Sequence, residues 1–355
     1  MTTPAHSTRT TNFEGAARAA IAGGAPLALL IALGMPGYAA FAMFAGFTAI
    51  FGAAEPYRQR ALTTGVAGVL QALCMFAGIG VSLLGSPLWL QAVGLVVVLV
   101  VAIGTLSTLQ TIPAQPIFPV FAFVVSALVP LHPADVPLVA TIIVCSVAWA
   151  WLVAMSGAVI RLVLHPHAPG VFRPIAPRKH RSLAILRSAA LWETVGLNVV
   201  GALVAGAVAE AIPGLGHPYW AVIALVSTLP AIRQRHTVLR VVQRFVGTIG
   251  GTVIAVGILL LEPSAWWIVL IAVVGQFFAE IFVARNYAVT LLFLTPLALA
   301  VSWLSLPEAP GLLALDRIAQ TALGAGVSVG LLAVGRAIER RRGRALGATS
   351  AIRTV

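Results

Sequence analysis

The sequence predicts an all-α integral membrane protein of about twelve transmembrane helices, built as two six-helix parallel repeats. Composition predicts the membrane: 60% of the 355 residues are hydrophobic, 9% are charged and mean hydropathy is +1.01, far too apolar for a soluble chain of this length. The placing of basic residues predicts the topology, and recurring turn motifs predict the repeat.

Apolar segments of about 17 to 25 residues recur along the chain, as a hydrocarbon core roughly 30 Å thick demands of helices. The first set of spans falls at 15–34, 37–54, 61–84, 88–109, 114–130 and 136–163; the second falls at 184–211, 217–232, 237–261, 264–283, 286–306 and 312–336. Pro113, Pro116 and Pro119 interrupt the fifth. With the N-terminus in the cytoplasm, the inner turns collect Arg9, Arg18, Arg58, Arg60, the run from Arg161 to Arg187, Arg233 to Arg244, Arg285 and the tail from Arg336 to Arg353. Of the 22 Lys and Arg residues only Arg317 is left at the outer face, so the positive-inside bias accounts for most of the net charge of +12.

The two sets read as copies. Met35–Tyr38 (MPGY) parallels Gly216–Tyr219 (GHPY), and Tyr57–Arg60 (YRQR) parallels Ile232–Arg235 (IRQR). Ser86-Pro-Leu-Trp-Leu parallels Pro263-Ser-Ala-Trp-Trp. An even number of spans per copy keeps both in one orientation, one of the known plans for a transporter. Residues 1–164 form the first repeat, 165–183 a basic, proline-rich cytoplasmic linker, 184–336 the second repeat and 337–355 a basic cytoplasmic tail. The tail serves as an anchor to anionic lipid. The polar start lacks a signal-peptide core, so the first span is expected to stay as an anchor.

The densest stretch is 216–251, read as a hairpin of two spans around a basic tip, Arg233, Arg235 and His236. On the returning span Arg240, Arg244, Thr248 and Gly251 fall at i, i+4, i+8 and i+11, which is one helical face. An arginine at bilayer depth costs at least ~2.5 kcal/mol, so that face turns to protein, water or ligand. Gly247 and Gly251 form a small-xxx-small pair, which admits a close neighbouring backbone.

An Arg-x-x-x-Thr pair recurs as Arg60 with Thr64, Arg244 with Thr248 and Arg317 with Thr321. Each sets a cation one turn from a hydroxyl, a pairing suited to a carboxylate. Such pairs also arise from helix packing combined with the positive-inside bias. Glu193, read as lying near the bilayer midplane, is the candidate coupling acid, and Glu280 with Gln276 is a second contact for the arginines. A latch between Glu210 and Arg317 is expected at the outer face. Tyr219 is placed to stack on an aromatic substrate or to serve in an interfacial belt.

Pro218-Tyr-Trp-Ala221, Arg244-x-x-Gly247-Thr248-x-x-Gly251, Arg285-Asn-Tyr-Ala288 and Thr295-Pro296 together resemble the fusaric acid resistance protein-like (FUSC) family, which groups with bacterial aromatic acid exporters and more distantly with plant malate channels. The resemblance is clearest over 184–340. It implies a bacterial inner-membrane exporter of small organic anions, aromatic carboxylic acids foremost; Glu193, as a buried acid, is the residue that would allow proton coupling. A passive anion channel and a non-transporting membrane scaffold stand as alternatives. Family members commonly carry soluble cytoplasmic domains after each membrane half, and here the linker and the tail are each only about 20 residues long.

No cofactor is expected, since nucleotide-loop and metal-ligand patterns are missing from the sequence. Cys74 and Cys145 fall within apolar segments, where a thiol behaves as a small hydrophobe. Enzymatic chemistry lacks a nucleophile and base at workable spacing. The expected partners are the anion, the lipid bilayer and, optionally, a second copy of the chain. Nucleic acid is not among them, for want of a compact basic domain.

Overall fold

Proline supplies several of the starts. Pro56, Pro87, Pro116 and Pro218 each sit at the N-cap of a helix, where the missing N–H deprives no hydrogen bond of its donor. Ser188 caps another in the polar manner, its hydroxyl accepting from the Leu191 amide at 3.3 Å.

The computed structural model describes residues 13–164, 181–229, 237–305 and 307–352. The helices are α1 (Phe13–Ala32), α2 (Ala39–Gly46), α3 (Tyr57–Leu83), α4 (Leu88–Leu109), α5 (Ile117–Leu128), α6 (Val136–Leu164), α7 (Ala189–Glu210), α8 (Tyr219–Thr228), α9 (Thr237–Leu259), α10 (Ala265–Phe282), α11 (Tyr287–Ser305) and α12 (Pro310–Ile352). Short 3-10 turns extend or precede several of them, and no strand occurs among the described residues. The basic tip Arg233, Arg235 and His236, and the linker before Arg181, lie outside them.

Among the described residues, nine of the twelve helices are long and apolar enough to cross a membrane. The second, fifth and eighth of the expected spans hold only short helices: α2 with its following 3-10 turn, α5 and α8. Ten residues of α8 rise about 15 Å, half of the hydrocarbon core. Hydropathy counted apolar residues in these segments and did not register where the backbone leaves the helix. After α2 the chain breaks at Phe51 and Gly52, the latter at φ +72°. After α8 it turns extended at Leu229, the residue before Pro230.

Both short helices stand in the middle of the protein. Every residue of α2 is buried, as is every residue of α8 from Trp220 to Thr228. Around them α1 packs on α2 and α6 and reaches across to α10, while α7 packs on α8 and α12 and reaches across to α4. α3 lies on α5 and α9 on α11; α2 touches α11, and α5 touches α8. Toward the outside the surface is apolar, with Leu62, Val69 and Leu73 of α3 and Val93, Val97 and Val101 of α4 exposed, as lipid-facing helices require.

Glycine sets how closely the inner helices approach. A Cβ on Gly247 or Gly251 would stand 2.5 Å from the carbonyl oxygen of Ala288 or Leu291, so the pair expected to admit a neighbouring backbone admits α11. On α12 a Cβ at Gly324 would stand 2.2 Å from the Ala221 carbonyl oxygen of α8. No flexible side chain is available there to yield.

Replacing Gly324 by Ala is therefore expected to force α12 off α8, at a cost of about 1 to 3 kcal/mol, read as a lowered thermal midpoint in detergent. Gly330→Ala, at a position with open space around it, is the matched control and should leave the midpoint unchanged.

Candidate functional site

Ending a helix inside a membrane protein leaves carbonyls without partners, and neither water nor lipid is at hand to satisfy them. Both central breaks are met by guanidinium groups from the next helix. Arg60 of α3 donates from Nε to the Gly52 carbonyl at 3.2 Å and from Nη2 to that of Ala53 at 2.7 Å. Its Nη1 donates to Ala154 of α6 at 3.4 Å and lies 3.9 Å from Glu14. Thr64 adds a hydroxyl to the Phe51 carbonyl at 3.0 Å. On the other side Arg240 of α9 donates from Nε to the Ser227 carbonyl near the end of α8, at 2.7 Å, with its guanidinium 4.3 Å above the Tyr287 ring.

One turn further along α9 the situation changes. Arg244 is 3% exposed and donates from Nη1 to the Tyr287 hydroxyl at 3.0 Å, but its Nε and Nη2 meet no acceptor. On α12 Arg317 is equally buried. Its guanidinium lies 4.4 Å over the Trp220 ring, and Nε and Nη1 have no acceptor. Neither cation has a carboxylate within ion-pair distance among the described residues.

Both guanidiniums line one cavity of about 290 Å³, near the roughly 300 Å³ at which small-molecule sites begin. Phe44 and Phe47 of the α2 segment and Phe118 and Phe121 of α5 wall one side. Tyr219, Ile223 and the α11 residues Thr295, Leu297 and Ser302 wall the other. Phe44 and Phe121 rings meet at 4.5 Å, and Phe121 reaches the Tyr219 ring at 6.3 Å. The Thr295 hydroxyl is a further buried polar group without a partner. The cavity is thus apolar and aromatic over most of its wall, with two unneutralised cations converging on it.

At the end away from the basic turns the cavity reaches His217 and Glu308. His217 stands with Nδ1 2.6 Å from Asp316 and Nε2 3.8 Å from Glu308, its ring stacked on Trp220 at 5.1 Å. The latch expected between Glu210 and Arg317 does not form. Glu210 is exposed, Arg317 faces Trp220, and the carboxylates near this end gather on His217 instead.

Of the residues singled out from sequence, Arg244, Arg317 and Tyr219 come together on the cavity. Thr248 and Thr321 lie buried one turn from their arginines with unpartnered hydroxyls. Arg60 and Thr64 do not line it, being taken up by the carbonyls at the first break. Arg240 is likewise occupied at the second. Glu280 is half-buried on α10, which packs against α1 and α11, and is not a lining residue.

The depth read for Glu193 is corrected. Ser188 starts α7 after a 3-10 turn over Leu183–Arg187, so the acid lies little more than one turn into its helix. There it is exposed and off the cavity wall. Reading the span from residue 184 had counted that turn as helix. His217 and Glu308 were missed as site residues. Each sits in a proline-flanked turn, and only the density of titratable groups around 217, 308 and 316 hinted at them.

The fold and the site together define a multi-pass helical membrane protein with a central pocket that carries net positive charge. Residues 203–331, which include Tyr219, Arg244 and Arg317, match the family described as fusaric acid resistance protein-like. No curated protein and no solved structure matches the chain.

The two classes of buried arginine should separate on unfolding. Arg60→Gln removes its donors from three carbonyls, of which Ala53 and Ala154 keep Arg18, and leaves Glu14 with one cation fewer; it should lower stability by about 3 kcal/mol. Arg244→Gln removes a cation that is already mostly uncompensated. In ligand-free detergent its thermal midpoint should stay at or above that of the parent protein.

Proposed function

We propose that the chain is a bacterial inner-membrane exporter of small organic anions, aromatic carboxylates foremost, driven by the proton gradient, and that the anion binds between Arg244 and Arg317. The observation that carries this is the pair of guanidiniums, each 3% exposed, on one largely aromatic cavity with four nitrogens lacking acceptors. Leaving a buried charge uncompensated costs about 3 to 5 kcal/mol. A carboxylate that accepts from either guanidinium removes that cost through charge-assisted hydrogen bonds, while its ring occupies the apolar wall.

Two parallel repeats, with both termini in the cytoplasm, are part of the same proposal. The paired contacts support the repeat: α1 on α10 answers α7 on α4, and α2 on α11 answers α8 on α5. Arg60 and Arg240, each donating to carbonyls at the end of a short buried helix, support it as well. The basic end, with Arg58, Arg60 and Arg240, goes to the cytoplasm by the positive-inside rule. That puts His217 and Glu308 at the outer mouth.

The test is flux from proteoliposomes loaded with a panel of aromatic and aliphatic acids. Wild-type protein should move aromatic carboxylates. Arg244→Gln and Arg317→Gln should each weaken half-saturation by about tenfold or more, the size of one lost charge-assisted contact. Unchanged flux in the double variant, or no flux of any acid through wild type, would sink the proposal.

A further inference from the structure

We infer that His217, Asp316 and Glu308 form a proton-operated latch on the outer mouth of the cavity. The inference rests on the orientation and the anion path proposed above, and adds the group at which a proton acts on that path.

The imidazole has one nitrogen turned to each carboxylate, 2.6 Å to Asp316 and 3.8 Å to Glu308. A neutral ring donates from one nitrogen only, whereas the imidazolium donates from both. Only the protonated ring, therefore, attracts both acids at once, through a hydrogen bond to Asp316 and an ion pair, too long for a hydrogen bond, to Glu308. The three groups tie separate pieces of chain: His217 precedes α8, Glu308 lies in the turn before α12, and Asp316 is on α12 itself. His217 and Glu308 both belong to the cavity wall, so drawing them together narrows the cavity from its outer end.

The surroundings make the latch a switch. The Glu308 side chain is 43% exposed and that of His217 14%, so solvent protons have access to the ring while Trp220 stacking fixes its plane. Other charged or titratable groups near it are Arg317 from α12, Tyr219 from α8 and, across the cavity, Arg244 from α9. α7 ends in the exposed Glu210, and α5 presents the uncharged Phe121. When the outer side is acidic the ring bridges both acids and the mouth closes. When the proton leaves, Glu308 is released and the mouth opens.

Access to the cavity can be read without any transported acid. Ser302, on the cavity wall, is changed to Cys in a protein whose Cys74 and Cys145 are replaced by Ala. It is then labelled from the outer side with a membrane-impermeant thiol reagent. Outer pH is stepped from about 8 to about 5, the interval over which imidazoles titrate. Dividing each rate by that of the same cysteine in a His217→Gln protein removes the pH dependence of the thiol itself.

The ratio is expected to fall by about fivefold on acidification, the upper size of one partly exposed ion pair. Glu308→Gln, at a half-exposed position that folding tolerates more readily, should flatten the response, and its rate serves as the divisor where His217→Gln fails to fold. A ratio constant across the interval, or a Glu308→Gln protein that closes in acid like the parent, overturns the inference. Labelling that responds to acid in a protein that moves no anion would instead keep the latch and reject the transport reading.

Discussion

The arrangement of the buried arginines follows from one rule of protein interiors: a buried backbone carbonyl that leaves its helix must find a donor within the protein. Two helices in the centre, α2 and α8, are too short to cross, and their ends would otherwise strand carbonyls in an apolar medium. Arg60 and Arg240, each from the helix that follows, donate to them. The breaks in turn place short, fully buried helices where continuous ones would have filled the middle of the bundle. The cavity lies beside those helices, so the pocket and the buried arginines share one structural origin.

The two sides of the molecule then diverge in how charge is compensated. Around α2, Arg60 and Arg18 share Glu14 and a set of carbonyls, and Arg181 pairs with Glu55 at 2.9 Å while Thr63 bonds the same carboxylate. Each of these guanidiniums has a carboxylate within ion-pair distance. Around α8 Arg240 donates to Ser227 and the Thr228 and Ser328 hydroxyls to Leu225, and the next arginine on the same face, Arg244, has the Tyr287 phenol for a partner among the described residues. Arg317 arrives from α12 with an indole face and no acid. Guanidiniums without a carboxylate at ion-pair distance are thereby gathered on the side that owns the cavity wall.

Much of this was legible in the sequence, for reasons that also explain what was not. The inward face of α9 could be read because arginine and glycine at helical spacing have no place against lipid, and Arg244, Gly247, Thr248 and Gly251 are all buried. The nine long spans followed from apolar length. Helix continuity did not, because Phe51 and Leu229 are as hydrophobic as their neighbours and the breaks depend on backbone conformation at Gly52 and before Pro230. Nor could the Arg-x-x-x-Thr pairs be told apart. Arg60 and Arg244 look alike in the chain, and what separates them is whether a stranded carbonyl lies within reach. The burial and depth of Glu193 depended on where α7 begins, which a serine cap and a 3-10 turn decide.

Holding two cations in a dry pocket is a poor way to stabilise a fold, and that is the argument for reading them as a binding site. A structural arginine can be satisfied completely, as Arg60 demonstrates within the same protein. Arg244 and Arg317 are left short of acceptors where an apolar cavity opens, so the empty state carries a penalty that an anion relieves. A carrier needs such a balance, because a ligand must bind well enough to enter and loosely enough to leave. Full neutralisation by a fixed carboxylate would abolish the first, and a site of several fixed donors around one anion would impede the second. Two partly satisfied guanidiniums, backed by Tyr287 and Trp220 rather than by acids, fall between these limits.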